Sequence, residues 1–186
     1  MLYDEKSKGG KKMSRNIILY IAMSLDGYIA RKNGDVDWLE GDGSEPDADI
    51  GYDEFYGTID TVIMGRKTYD QILTFGEYPY KGTKGYIYTS EKRDNNEDVE
   101  FTDENVEDLI EKLKNEDGKN IWLIGGAGVI DDFLKKGLID EYFICVMPCI
   151  LGEGIPLFKD INPEIKLKLL KTETVNGMVM LHYAKR

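Results

Sequence analysis

Four stretches of the chain are continuously apolar over the length of a β-strand, and this excludes most folds. They are NIILYIAMS from Asn16, TVIMG ending at Gly65, NIWLIGG ending at Gly126 and YFICVMP ending at Pro148. A strand with one wet face alternates polar and apolar residues, whereas an unbroken run belongs to a strand covered on both sides. Helical patterns fall between these runs. YDEFYGTI predicts a short helix, RKTYDQIL and VIDDFLKKG predict two more, the last closed by Gly137, and NVEDLIEKLK places Val106, Leu109, Ile110 and Leu113 on one stripe. GYIYTS reads as a further strand, EDVEF as another short strand or a loop, and the Gly/Asp-rich stretch from Asp26 to Asp49 as a long loop. Near the end, Lys166 to Val175 and Met178 to Lys185 flank Asn176-Gly177, the strongest short hairpin signal. The expected fold class is a layered α/β domain: a mixed, mainly parallel sheet covered by helices, with a C-terminal antiparallel hairpin.

With 41% hydrophobic residues in 186, the chain is long enough for one core, and a single domain over 14–186 is expected. The first thirteen residues are Lys-rich with a Gly-Gly pair and no apolar periodicity, so 1–13 reads as a disordered N-terminal tail. Acidic residues outnumber basic ones by 35 to 24, a net charge of −11, which argues against nucleic acid or anionic membrane as partner. No apolar run approaches a bilayer span and no signal peptide precedes the first strand, so a cytoplasmic protein is expected. Cys145 and Cys149, with His182 as the sole imidazole, assemble neither a disulfide framework nor a zinc site, so two buried free thiols and no metal are expected.

Three strand ends carry residues suited to a phosphorylated ligand. In IWLIGGAGV a buried strand runs into Gly125, Gly126, Ala127, Gly128 and Val129, where a helix starts at once. Glycines admit close backbone approach, and the helix N-terminus favours an anion. In MGRKTY a second strand ends at Gly65 and the next helix opens with Arg66, Lys67 and Thr68. Cations there oppose the helix dipole, so an anionic ligand explains them better than helix stability does. A third end, Thr89 and Ser90 with Lys92 and Arg93, adds hydroxyls and two more cations. Open α/β sheets bind ligands beyond the carboxyl ends of their strands, so these loops would line one cleft for a nucleotide with several phosphates.

Strand-G-R-K-T-Y, strand-T-S and strand-I-G-G-x-x-V, in this order from Asn16 to Lys185, resemble the NADPH-binding elements of the dihydrofolate reductase superfamily. The segments AMSLDGYIA (22–30) and LGEGIPLF (151–158) resemble its riboflavin-biosynthesis reductase branch. The resemblance implies a three-layer α/β/α dihydrofolate reductase-like fold and NADPH as cofactor. It further implies reduction of the ribose of a 5-amino-6-(5-phosphoribosylamino)uracil. The zinc deaminase often fused to that branch has no counterpart, since H-x-E with P-C-x-x-C is absent. The branch carries Glu ahead of its Gly-Gly pair where this chain has Ile124. By the same resemblance Arg66, Lys67 and Thr68 would hold the 2′-phosphate and pyrophosphate, with Ser90 and Lys92 or Arg93 on the adenosine side. Gly125 to Val129 would cradle the pyrophosphate, and Ala22 and Ile29 would face the nicotinamide. The family's active carboxylate falls on Asp49, Asp53 or Glu54, each equally well explained as a helix-cap or surface acid. Asp26 is either a turn residue or a substrate contact at the cleft mouth. Trp38 reads as a lid aromatic or a loop anchor, and His182 as structural. The 12 Tyr and the apolar last hairpin suit a homodimer. Alternatives are a reductase of another pterin-like or carbonyl substrate, a dinucleotide-binding protein without turnover, and a structural dimer whose glycines serve packing.

Overall fold

A computed structural model describes residues 14–159 and 163–186; the expected tail lies outside the described residues. Eight strands form one sheet in the order β5-β4-β3-β6-β1-β7-β10-β9. They are β1 (Ile17–Ser24), β3 (Ile59–Gly65), β4 (Lys84–Tyr88), β5 (Val99–Thr102), β6 (Asn120–Gly125), β7 (Glu141–Met147), β9 (Leu167–Val175) and β10 (Met178–Lys185). Pairing is parallel from β5 through β7 and antiparallel across β7-β10-β9, as the apolar runs and the Asn-Gly turn require. Asn176 and Gly177 both take positive φ, 49° and 73°, which two consecutive left-handed positions of a tight hairpin demand.

The described residues form four helices, α1 (Tyr52–Gly57), α2 (Arg66–Thr74), α3 (Val106–Lys114) and α4 (Ala127–Lys135). On one face α3 and α4 bury Leu109, Leu113, Ile130 and Phe133 against Ile17, Leu19, Ile121 and Leu123. On the other, α1 and α2 bury Phe55 and Tyr69 against Ile18, Val62, Met64 and Trp122. Successive residues of β1 and β6 thus enter opposite layers, which is why these runs never become polar. Helix α3 has the best local signal: the Asn105 side chain accepts from Glu107 N at 2.8 Å, acids occupy its first turn and Lys112 and Lys114 its last. A cap of that kind is worth about 1 kcal/mol.

The stretch from Asp26 to Asp49 is more than a loop. Tyr28–Ala30 forms β2, antiparallel to β8 (Ile155–Pro156) in a second, two-stranded sheet. Three- and two-residue strands leave no periodicity to detect. The remainder of that stretch is latched to the hairpin: Asp42 N donates to Asn176 O at 3.0 Å and Glu45 N to Asn176 Oδ1 at 3.1 Å. The expectation for the thiols needs correction. Cys145 is buried but Cys149, in the turn after β7, is only half-buried, because Pro148 takes the chain out of the sheet. Burial pushes the Cys145 thiol up to about 11, so it is an inert packing group at neutral pH.

Candidate functional site

β3 and β6 are hydrogen-bonded neighbours, with Met64 opposite Gly125. After β3 the chain passes into α2 on one face, and after β6 into α4 on the other. Their carboxyl ends therefore diverge and open a crevice, the place where open α/β sheets take ligands. Both helices beginning there lack a side-chain cap: Gly65 is the N-cap of α2 and Gly126 that of α4. The two starts are tied together by Gly126 N, which donates to Thr68 Oγ1 at 2.9 Å. A Cβ on Gly126 would press on that Thr68 oxygen at 3.1 Å, and one on Gly65 on the Val129 Cγ2 at 3.3 Å. Glycine here keeps two helix N-termini open and close together. Gly65, Thr68, Gly125, Gly126 and Val129 are thus brought together in one crevice.

The cations assemble beside it. Arg66 donates to Asp70 Oδ2 at 2.9 Å, and Arg93, from the loop after β4, reaches both Asp70 oxygens at 2.6 and 3.2 Å. Glu91 completes the group, 3.4 Å from Arg66 and 3.6 Å from Arg93. Two guanidinium groups from different strand ends thus share one carboxylate, an arrangement an incoming phosphate can compete for. Lys67, Ser90 and Lys92 are exposed around it. Asp70 escaped the sequence reading, although Arg66 and Asp70 stand at the i,i+4 spacing of a helical ion pair. Hydrogen bonds from Arg93, and then its charge and those of Arg66, hold the Asp70 carboxyl below its ordinary value of 3.8. A depressed folded-state pKa contributes stability above the unfolded value, lost as pH falls through the folded one. Asp70→Asn should therefore lower the urea midpoint at neutral pH, and the gap to wild type should close as the pH is taken down through the lowered pKa of Asp70.

At the next strand end, Ala22 packs in a cluster with Trp38, Cys145, Met147 and Met178. Trp38 is the loop's anchor: it is buried, and its Nε1 has no hydrogen-bond partner among the described residues. Ile29 packs in the α3/α4 layer, so it and Ala22 belong to different clusters.

Asp26 is a clamp between the two distant segments AMSLDGYIA and LGEGIPLF. Its Oδ1 accepts from Ser24 Oγ at 2.6 Å and from Leu151 N at 3.1 Å, and its Oδ2 from Gly152 N at 2.7 Å. These bonds, Ser24's foremost, lower its pKa. A Cβ on Gly154 would collide with the Ala30 carbonyl, so both motifs are explained by the β2-β8 pairing they make.

The three candidate carboxylates before β3 are all exposed. Asp49 accepts from Gly51 N at 2.8 Å and so turns the chain into α1. Asp53 and Glu54 lie in the first turn of α1, and Glu54 alone of the three lines a cavity of about 360 Å³. That cavity lies away from the glycine crevice, on the α1 face of the sheet, over Tyr20, Phe143, Met180 and His182. Tyr20 is two residues before Ala22 and on the same face of β1. Burial, followed by Cys145, Tyr52 and Asp49, pushes the Tyr20 hydroxyl up to about 12, so it remains protonated. Among the described residues no helix is long and apolar enough to cross a membrane and no three His, Cys, Asp or Glu form a metal site.

Comparison with known proteins gives a consistent answer. YwjB of Bacillus subtilis (strain 168) is 43% identical over 175 residues, 93% of this chain and 99% of that one. YyaP of the same organism is 37% identical, over 91% of this chain and 94% of its own. A crystal structure from Shewanella sp. PV-4, of a protein named "Putative riboflavin biosynthesis protein", superposes with a TM-score of 0.80 at 32% identity, covering 94% of this chain and 99% of its own. A Thermotoga maritima deaminase/5-amino-6-(5-phosphoribosylamino)uracil reductase shares the fold, with a TM-score of 0.69 at 19% identity, and this chain spans 57% of it. Residues 80–181, from just before β4 into β10, match the family described as RibD C-terminal domain, to which this chain belongs.

Proposed function

We propose that this chain is an NADPH-dependent reductase of the RibD reductase type. The observation that carries the reading is the β3/β6 crevice: two helix starts with glycine at the N-cap and no side-chain cap, joined by Thr68 and Gly126, beside Arg66 and Arg93 on a single carboxylate. That donor set fits a dinucleotide with a third phosphate. The backbone N–H groups opening α4 would take the pyrophosphate, with Arg66 and Arg93 leaving Asp70 for the 2′-phosphate. Ser90, Lys67 and Lys92 would border the adenosine, and Ala22 the nicotinamide. When bound, the cofactor supplies the hydride.

The chain's own residues do the rest. Asp26 fixes the turn after β1 against residues 151 and 152, which holds the Ala22 edge in place. Trp38, buried in the same cluster, would close that edge from water. Of the candidate acids, Glu54 alone lines the cavity, and its carboxylate would accept from an N–H edge of a substrate there. The substrate named for the Thermotoga relative is the first reading. Ile124, packed in the Trp122 layer, offers no carboxylate where the branch has Glu, and this favours a second reading, another flat heterocyclic or carbonyl substrate.

The test is a fluorescence titration with NADPH and NADH in parallel. NADPH should bind at least about tenfold more tightly, since a guanidinium hydrogen bond to charge is worth about 1.5–3 kcal/mol. Equal affinity for both, or binding of neither, overturns the reading.

A further inference from the structure

The sheet has two edges, and the chain treats them differently. At one, β5 is four residues long and its outer backbone groups are taken up by the loop before it. Val99 N donates to Asn96 Oδ1 and Phe101 N to Asn95 Oδ1, both at 2.9 Å, and Val99 O accepts from Asn96 N at 2.9 Å. At the other, β9 pairs with β10 alone. Its residues from Lys168 to Thr174 are all exposed, Leu169 and Leu170 among them. The turn decides which backbone groups point outward. A two-residue turn leaves Val175 and Met178 as a hydrogen-bonded pair, and the pattern alternates from there. Glu173 and Lys171 therefore turn their backbone groups to β10, and Thr174 and Thr172 turn theirs away. The far end of β10 has the same phase: Arg186 N donates to Lys166 O at 3.0 Å on the β9 side, and Lys185 N to Asp140 O at 2.9 Å on the other. Among the described residues nothing bonds to the outward groups of Thr172 or Thr174. The first half of this edge is blunted by Lys168 and by the bulge between His182 and Tyr183, which leaves Leu170 with no residue opposite it. The second half, Lys171 to Val175, is regular and open.

We propose that β9 pairs edge to edge with β9 of a second copy of this chain, antiparallel about a two-fold axis at Thr172, so that two sheets become one. The contact is isologous, and only outward-facing residues can exchange bonds, which leaves few registers. An axis at Lys171 or at Glu173 sets like charges opposite each other in a close, non-hydrogen-bonded pair. An axis at Thr174 runs the pairing into the turn at Asn176-Gly177. With the axis at Thr172, the two Thr172 exchange both backbone bonds, and Lys171 of each copy stands opposite Glu173 of the other. Within one chain these two side chains are already 2.6 Å apart on the same face, so the contact becomes a ring of four alternating charges. At each end, the half-exposed Leu169 and Leu170 of one copy come beside Val175 and Thr174 of the other and lose apolar surface to water. Lys171 and Glu173 also line the cavity of about 360 Å³, so the second copy borders its outer rim.

The experiment is sedimentation equilibrium of the full chain at about 10 to 200 μM, since so short an interface belongs to the weak class. Wild type should approach twice the chain mass of 21.2 kDa at the upper end. Thr172→Pro removes an outward N–H and no bond to β10. It should weaken the dimer at least about tenfold while the unfolding temperature stays within about 3 °C. Lys171→Glu and Glu173→Lys should each weaken the dimer about tenfold at low salt, and the double exchange should restore it to within about threefold. The charge exchanges leave the backbone alone, so they decide the case if Thr172→Pro does not fold. A 21.2 kDa monomer at every concentration overturns the proposal. So does a folded Thr172→Pro chain that dimerises like wild type, or a double exchange that is no better than either single one.

Discussion

Replacing Arg66 with Ala is expected to weaken NADPH binding by about ten- to hundredfold while NADH binding stays within about twofold. The loss corresponds to one charge-assisted hydrogen-bond set to a phosphate, about 1.5–3 kcal/mol. It is not larger because Arg93, reaching the same Asp70 from the opposite side, remains. Thermal stability should hardly change. The variant gives up a half-exposed i,i+4 pair with Asp70, worth a few tenths of a kcal/mol, but also removes a cation from the N-terminus of α2, where it opposes the dipole. Affinity and stability thus separate, and a melting curve beside the titration shows it. A variant that weakened both cofactors equally would mean that Arg66 serves the pyrophosphate and not the 2′-phosphate.

Arg15→Met should destabilise the fold by about 3 kcal/mol, measured as the shift in urea unfolding at unchanged m-value. Arg15 is 4% exposed and sits just before β1. Its Nε donates to Lys119 O at 2.8 Å and its guanidinium to Leu113 O at 3.3 Å and Thr61 Oγ1 at 2.6 Å, with Asp60 as the ion partner. One side chain thereby joins the start of β1, the strand β3, the end of α3 and the turn into β6. Methionine fills much of the volume but removes the hydrogen bonds to Lys119 O, Leu113 O and Thr61 Oγ1 and leaves Asp60 without its ion partner. The cost is held near 3 kcal/mol because Asp60 Oδ2 keeps its bond from Lys119 N at 2.7 Å. A loss under about 1 kcal/mol would mean that solvent replaces the guanidinium.

The sheet was legible because its evidence is local. Unbroken apolar runs, a helical stripe from Val106 to Leu113 and Asn176-Gly177 each report on a few consecutive residues, and the structure has strands, helix and turn at those places. The glycine strand ends were legible for the same reason, since strand-to-glycine-to-helix is a pattern written in ten residues. What was missed acts at a distance. Asp26 was left between two roles because its partners, residues 151 and 152, are 125 and 126 positions away. The pairing of Tyr28–Ala30 with Ile155–Pro156 leaves no period in either segment. Arg15 looks like one more basic residue beside a Lys-rich tail, and its burial follows only once four elements close around it. His182 alternates in a strand like any other residue, and only register puts its ring on Phe143.

The sequence by itself determined the layered α/β fold, the mainly parallel character of its sheet and the residue types at three strand ends. Burial on both faces of a strand and the φ requirements of a tight turn are properties of neighbouring residues. The tertiary structure alone decided that Gly126 meets Thr68, that Arg66 and Arg93 share Asp70, that Asp26 is a clamp, and that of three carboxylates Glu54 faces a cavity. Each of these depends on which strands become neighbours and on which face a helix leaves them, and that choice is made by packing the whole core, not by any one segment of the chain.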